Sequence, residues 1–111
     1  MSRWLATLLV GTYFGFVAIA ATAKAQVKSS VTTAICHYFG SYCWQAVRVA
    51  RCESGLSVWA RNGQYLGLFQ MGSYARARYG HGNDAWSQSR AAYRYFIDSG
   101  RDWSPWTCKP W

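Results

Sequence analysis

Glu53 is the only glutamate among the four acidic residues of the chain. It stands in residues 41–55, Ser-Tyr-Cys-Trp-Gln-Ala-Val-Arg-Val-Ala-Arg-Cys-Glu-Ser-Gly, a stretch that reads as one amphipathic helix. Ser41 is placed to cap its start, and Gly55 is the residue type that ends a helix in the left-handed conformation. Ala46, Val49, Ala50 and Glu53 recur at three- and four-residue spacing, so the carboxylate extends an apolar stripe. It also falls in the last turn, where the helix macrodipole is negative. Burial and that dipole both disfavour the ionised form and raise the pKa, as a general acid near neutral pH requires. The bland counterpart is a partly exposed glutamate paired with an arginine such as Arg61.

The other acids are Asp84, Asp98 and Asp102. Asp84 reads as a helix cap and Asp98 as a helix end, while Asp102 follows Gly100-Arg101 in a turn-like context. Two-carboxylate glycoside hydrolysis needs a second acid across the scissile bond. Asp102 is the candidate, because a disulfide from nearby Cys108 to Cys52 brings it towards Glu53. A single acid of raised pKa also serves both steps of an elimination-like cleavage when the substrate carries its own nucleophile. Gln70 offers a donor and an acceptor suited to a sugar amide or hydroxyl. Trp59, Tyr65, Trp86, Trp103 and Trp106 supply flat faces for sugar rings, although most such residues in a small domain belong to the core. No Ser/His/Asp arrangement is visible. His37 and His81 lack ligand spacing and there is no Cys-x-x-Cys pair, so zinc is disfavoured.

These residues need a scaffold. The chain has 111 residues, enough for one domain. Arg3 followed by the uncharged run Trp4–Ala23 and the small residues Ala21 to Ala25 reads as a secretory signal peptide cut near Ala25. The competing reading is an uncleaved membrane anchor. Residues 26–111 form the expected mature domain, which contains all four cysteines, Cys36, Cys43, Cys52 and Cys108. An even count in a small secreted domain indicates two disulfides. Three pairings exist. Cys36–Cys43 as a local clasp with Cys52–Cys108 as a tether for the chain end is preferred.

The net charge of +8 falls to +6 without Arg3 and Lys24, and the basic residues are dispersed. Such a charge suits an anionic extracellular surface, such as a wall polymer. No nucleic-acid-binding motif appears. No helix pairs a long apolar face with a basic one, which argues against a membrane-active protein.

The remaining elements are mostly helical. Ser30–Phe39 reads as a first helix with Val31, Ala34, Ile35 and Tyr38 on one face, after a polar lead-in over residues 26–29. Gly40 stops it. Arg61-Asn62-Gly63-Gln64 between two apolar runs reads as a hairpin turn. Gly67 marks a close approach of a ligand or another backbone. Ser73 caps a short helix to about Tyr79. Asp84 caps a last one, Ala85 to about Asp98, with Trp86, Ser89, Tyr93 and Phe96/Ile97 on one stripe. The result is a mainly α domain with a short β-hairpin.

Three stretches together are specific. Cys52-Glu53-Ser54-Gly55, then Asn62-Gly63-Gln64-Tyr65-Leu66-Gly67-Leu68-Phe69-Gln70-Met71, then Gly100 and Trp103-Ser104-Pro105-Trp106-Thr107-Cys108 resemble the lysozyme-like lytic transglycosylase superfamily, in particular small secreted actinobacterial members similar to resuscitation-promoting factor domains. The resemblance covers about residues 34–108. It implies a small, disulfide-stabilised, lysozyme-like fold and cleavage of peptidoglycan glycan strands. Glu53 would protonate the glycosidic oxygen between N-acetylmuramic acid and N-acetylglucosamine. It would then act as base for the muramic C6 hydroxyl, giving a 1,6-anhydro sugar. Ser54 would orient Glu53. Gln70 would bind substrate, Tyr65 would line the cleft, and Asn62 and Tyr93 join them as candidate glycan contacts. The resemblance also suggests the Cys52–Cys108 pairing. It implies no metal and no cofactor, and a secreted, wall-associated monomer is expected. One departure stands out: where many members carry Ala-Tyr-Asn, this chain reads Ser89-Arg90-Ala91-Ala92-Tyr93-Arg94. That leaves hydrolysis beside transglycosylation as the reaction, and a non-catalytic glycan-binding module of the same fold as the alternative.

Overall fold

The computed structural model describes residues 22–111, and the leader expected over residues 1–25 lies largely outside them. Residues 22–39 are helical and form α1. This helix therefore starts before Ser30 and includes the segment 26–29, read from the sequence as a polar lead-in. The β-branched run is accommodated by back-bonding: Thr32 and Thr33 donate their hydroxyls to the carbonyls of Lys28 (3.0 Å) and Ser29 (2.9 Å). Val31, Ala34, Ile35 and Phe39 form its buried stripe. No helix among the described residues is long and apolar enough to cross a membrane.

A 3-10 turn over Gly40–Tyr42 leads into α2, Cys43–Ser54. Ser41 lies inside that turn and does not cap α2, whose N-cap is Tyr42 with no side-chain capping bond. The Cys36–Cys43 disulfide clamps this corner, with Cα atoms 4.5 Å apart. At the other end Gly55 takes the left-handed conformation (φ 65°) and closes α2 as expected, its N–H donating to Arg51. Ala46, Val47, Val49 and Ala50 are the buried face.

An antiparallel hairpin follows, β1 Arg61–Asn62 with β2 Tyr65–Leu66, in the register Asn62 opposite Tyr65. Its two-residue turn is Gly63-Gln64, one position later than the Asn-Gly signal suggests, with Gly63 at positive φ. Then come α3, Ser73–Tyr79, and α4, Ala85–Asp98. Ser73 does not cap α3: it is the first helical residue, and the Gln64 side chain accepts from both its N–H and its hydroxyl. Asp84 does cap α4, accepting from Ser87 N–H at 2.8 Å. Gln88, Ser89, Ala91, Ala92 and Phe96 are the buried residues of α4, whereas Trp86 is rotated outward against His37.

The core is aromatic. The Phe39 ring stacks on Phe69 and Trp103 and meets Tyr93 edge-on, all with centroids within 5.6 Å. Phe96 packs against both Phe39 and Trp103. Each such pair adds roughly 0.5–1.5 kcal/mol beyond area burial. One aromatic side chain thus joins α1, the loop after the hairpin, α4 and the C-terminal tail. The tail is also tied down by Cys52–Cys108, which bridges 56 positions of sequence.

Candidate functional site

A cleft of about 550 Å³ runs between the end of α2, the hairpin, α3, α4 and the tail. Glu53 lies on it because α2 ends there. The left-handed Gly55 and Leu56 turn the chain back at once, so Glu53 stays at an edge and is only half-buried. The Glu53 carboxylate Oε1 accepts a hydrogen bond from the Cys108 backbone N–H at 3.3 Å. Partial burial pushes the pKa of Glu53 up, and the Cys108 N–H and the nearby Lys109 ammonium pull it back in part. Glu53 has no arginine partner: among the described residues the single ion pair is Arg78–Asp98.

All four acids of the chain lie within the described residues, so their positions bear directly on the chemistry. Asp84 caps α4, and Asp98 accepts from Tyr79 and Arg78. Asp102 is exposed, and its Oδ1 accepts from Ser104 N–H at 2.6 Å in the turn that opens the tail. None of the three lines the cleft. The tether brings Cys108 to Glu53 but leaves Asp102 on the outer side of its turn. Glu53 is therefore the only side-chain carboxylate lining this cleft.

The hairpin wall is a closed set of hydrogen bonds. Asn62 Nδ2 donates to Gln70 Oε1 at 2.9 Å, and Gln70 Nε2 donates to the carbonyls of Gly67 (3.0 Å) and Ala60 (3.3 Å). The amide group of Gln70 is thus occupied within the protein. Its capacity for a ligand is the second lone pair of Oε1, next to the exposed Asn62 amide. Gln70 itself sits at φ 47°, a conformation that costs a non-glycine residue about 1 kcal/mol or more and aims the side chain at the cleft. Tyr65 lines the same wall and is half-exposed. On the opposite side Trp106 is held by its indole N–H, which donates to the Phe69 carbonyl at 3.0 Å.

Two expected contacts fall elsewhere. Ser54 is next to Glu53 but does not line the cleft. Its hydroxyl makes close contacts with the carbonyls of Leu68 (2.8 Å) and Ala50 (3.0 Å) and accepts from Ser57 N–H. These bonds tie the end of α2, where Glu53 stands, to the loop after the hairpin. Tyr93 meets Phe39 edge-on and lines a separate depression instead of the cleft. Two residues along a helix is a rotation of about 200°, so Tyr95 points the other way and lines the cleft.

Tyr95, Tyr74 and Gln64 are cleft residues that sequence reasoning misses. A fourth missed residue is Gln88, 2% exposed. Its Oε1 accepts from Leu68 N–H at 2.8 Å, and its Nε2 donates to the carbonyls of Gly82 (2.8 Å) and Val58 (3.1 Å). Gln88 therefore joins three loops from inside. This also explains Gly67: a Cβ there would lie 2.3 Å from Gln88 Oε1, so the close approach is to a side chain and not to a backbone or ligand. Together, Gln88 grips the N–H of Leu68 while Ser54 meets its carbonyl, two residues before Gln70.

Comparison with known proteins returns no matching family model, no matching curated sequence and no matching solved structure.

Proposed function

We propose that this protein is a secreted enzyme that cleaves peptidoglycan glycan strands at the bond from N-acetylmuramic acid to N-acetylglucosamine, in the manner of a lytic transglycosylase. The observation that carries this reading is Glu53, a half-buried carboxylate of raised pKa and the single side-chain carboxylate lining the cleft. The sequence resemblance supplies the substrate, and two disulfides suit an oxidising compartment.

The chemistry follows from one acid acting twice. Protonated Glu53 gives its proton to the glycosidic oxygen, the bond from that oxygen to muramic C1 breaks, and the N-acetylglucosamine hydroxyl leaves. The Glu53 carboxylate then takes the proton of the muramic C6 hydroxyl as its oxygen attacks C1. The products are a 1,6-anhydro end and a free 4-hydroxyl, with Glu53 protonated again. No water is consumed, so no second carboxylate is required to activate one. Cys108 N–H and Lys109 favour the carboxylate during the first step, while burial keeps the acid form available beforehand. Asn62, Gln64, Gln70 and Tyr65 present polar groups along the cleft, and Tyr95 presents a partly exposed ring backed by the buried Trp106.

The test is clearance of purified peptidoglycan by oxidised residues 26–111. Release of soluble fragments by the parent, and none by Glu53→Gln at equal glycan binding, supports the reading. Equal binding with no release by the parent on several wall types would leave a binding module.

A further inference from the structure

A second depression, lined by Arg78, Tyr79, Tyr93, Arg94, Ile97 and Asp98, lies beside the cleft. The two are joined by aromatic contact: Tyr79 of this depression stacks on Tyr95 of the cleft, with centroids 4.8 Å apart and planes 17° from parallel. Tyr74, an exposed cleft residue, lies four residues before Arg78 on α3. The Tyr79–Tyr95 stack therefore makes the depression and the cleft direct neighbours on the surface.

The charges are asymmetric. Arg78 is held in place: its Nη2 meets Asp98 at 3.4 Å and its Nε donates to the Tyr79 hydroxyl at 3.1 Å. Arg94 is exposed and has no hydrogen-bond or ion-pair partner among the described residues. Two guanidinium groups face one carboxylate, so the depression keeps a net positive charge. Guanidinium forks suit carboxylates: that of Arg94 is unengaged, and Arg78, whose Nε and Nη2 are taken by Tyr79 and Asp98, keeps its Nη1 side.

We propose that Arg78 and Arg94 form a carboxylate-recognition shelf that selects glycan strands bearing acidic peptide substituents over uncharged glycan. The inference rests on the glycan-cleavage reading for what occupies the cleft. Its occupant is a peptide-borne carboxylate, as the net charge and the continuity with the cleft through Tyr79 and Tyr95 require. Exposed ion pairs are worth about 0.2–1 kcal/mol, so each arginine accounts for up to about fivefold in affinity, screened by salt.

Binding is measured on the Glu53→Gln protein, which separates affinity from turnover, by tryptophan fluorescence with peptide-substituted glycan oligomers and with the same oligomers after their carboxylates are amidated. The expected result is a preference of about fivefold or more for the carboxylate form at low ionic strength. Arg94→Ala, which removes no internal contact, should lower that preference by about threefold, and Arg78→Ala with Arg94→Ala should abolish it, leaving the amidated oligomer unaffected. An unchanged preference in the double variant overturns the shelf. So does a shelf that binds a wall phosphodiester polymer and ignores peptide carboxylates. An acidic peptide without glycan is titrated in parallel, with the arginine side-chain NMR signals as readout. Arginine-dependent peptide binding with no glycan binding would sustain the shelf and sink the glycan reading. Neither binding would sink both.

Discussion

The two disulfides do different work. Cys36–Cys43 closes a corner seven positions long, between α1 and α2, and touches nothing in the cleft. Cys52–Cys108 spans 56 positions and ends on the residue whose N–H donates to Glu53. The tail it anchors carries Pro105, Trp106 and Thr107 into the cleft wall. Lys109 reinforces that tail by donating to the carbonyls of Trp103 and Trp106. One bridge stabilises a helix junction, and the other holds the tail segment that closes one edge of the cleft. The link at one end of α2 is therefore remote from the cleft, while the link at the other end fixes the group that bonds Glu53.

The sharpest contrast is expected with Glu53 itself. Glu53→Gln should lower turnover by about 10³-fold, since general acid–base groups contribute about 10²–10⁴-fold. Its fold should persist, because the glutamine oxygen still accepts from Cys108 N–H. Thermal unfolding with circular dichroism checks the second part.

Next comes the long bridge. Replacing Cys52 and Cys108 together by Ser should cost about 4 kcal/mol by chain entropy and also reduce activity per folded molecule. The short bridge should cost about 2.5 kcal/mol on the same basis. Activity per folded molecule should survive the loss of Cys36 and Cys43. Urea titration alongside clearance assays separates the two outcomes, and equal activity losses would erase the distinction.

A smaller effect concerns pH. The pKa of Glu53 is raised in the folded state, so its protonated form favours folding. This contribution is fully present below the ordinary glutamate pKa and is lost as pH rises through the folded value. The parent should therefore lose stability relative to Glu53→Gln across that interval, as denaturation at several pH values would reveal. Activity should decline above the same folded pKa, because the first step needs the proton.

The smallest effect tests the inner support. Gln88→Leu leaves the Leu68 N–H without its partner, at a cost of about 1–3 kcal/mol. It should raise KM more than it lowers kcat, because the loop it holds leads to Gln70 and not to Glu53. Steady-state kinetics on soluble glycan oligomers decide this.

Much of this layout was legible in the residues because it is local. Glu53 and Gly55 announce a helix end, Asp84 announces a cap, and an even set of cysteines announces bridges. The mainly helical architecture with one short hairpin followed from the same signals. The failures have two causes, a tertiary partner replacing a local one and a local pattern that is itself ambiguous. Gln64 bonds Ser73 at the start of α3 from across the hairpin, so Ser73 was misassigned as the cap. Aromatic residues lie on both faces of α4, so periodicity could not decide between Tyr93 and Tyr95. Gln88 looks like a surface residue in sequence, and only the convergence of three loops on one buried amide shows its role.

The most direct test is mass spectrometry of the fragments released from purified peptidoglycan. A lone Glu53 with no second carboxylate on the cleft should yield 1,6-anhydro ends, each lighter by one water than a reducing end. Hydrated reducing ends from the parent, lost in Glu53→Gln, would contradict the single-acid account and require an acid or base that this cleft does not contain.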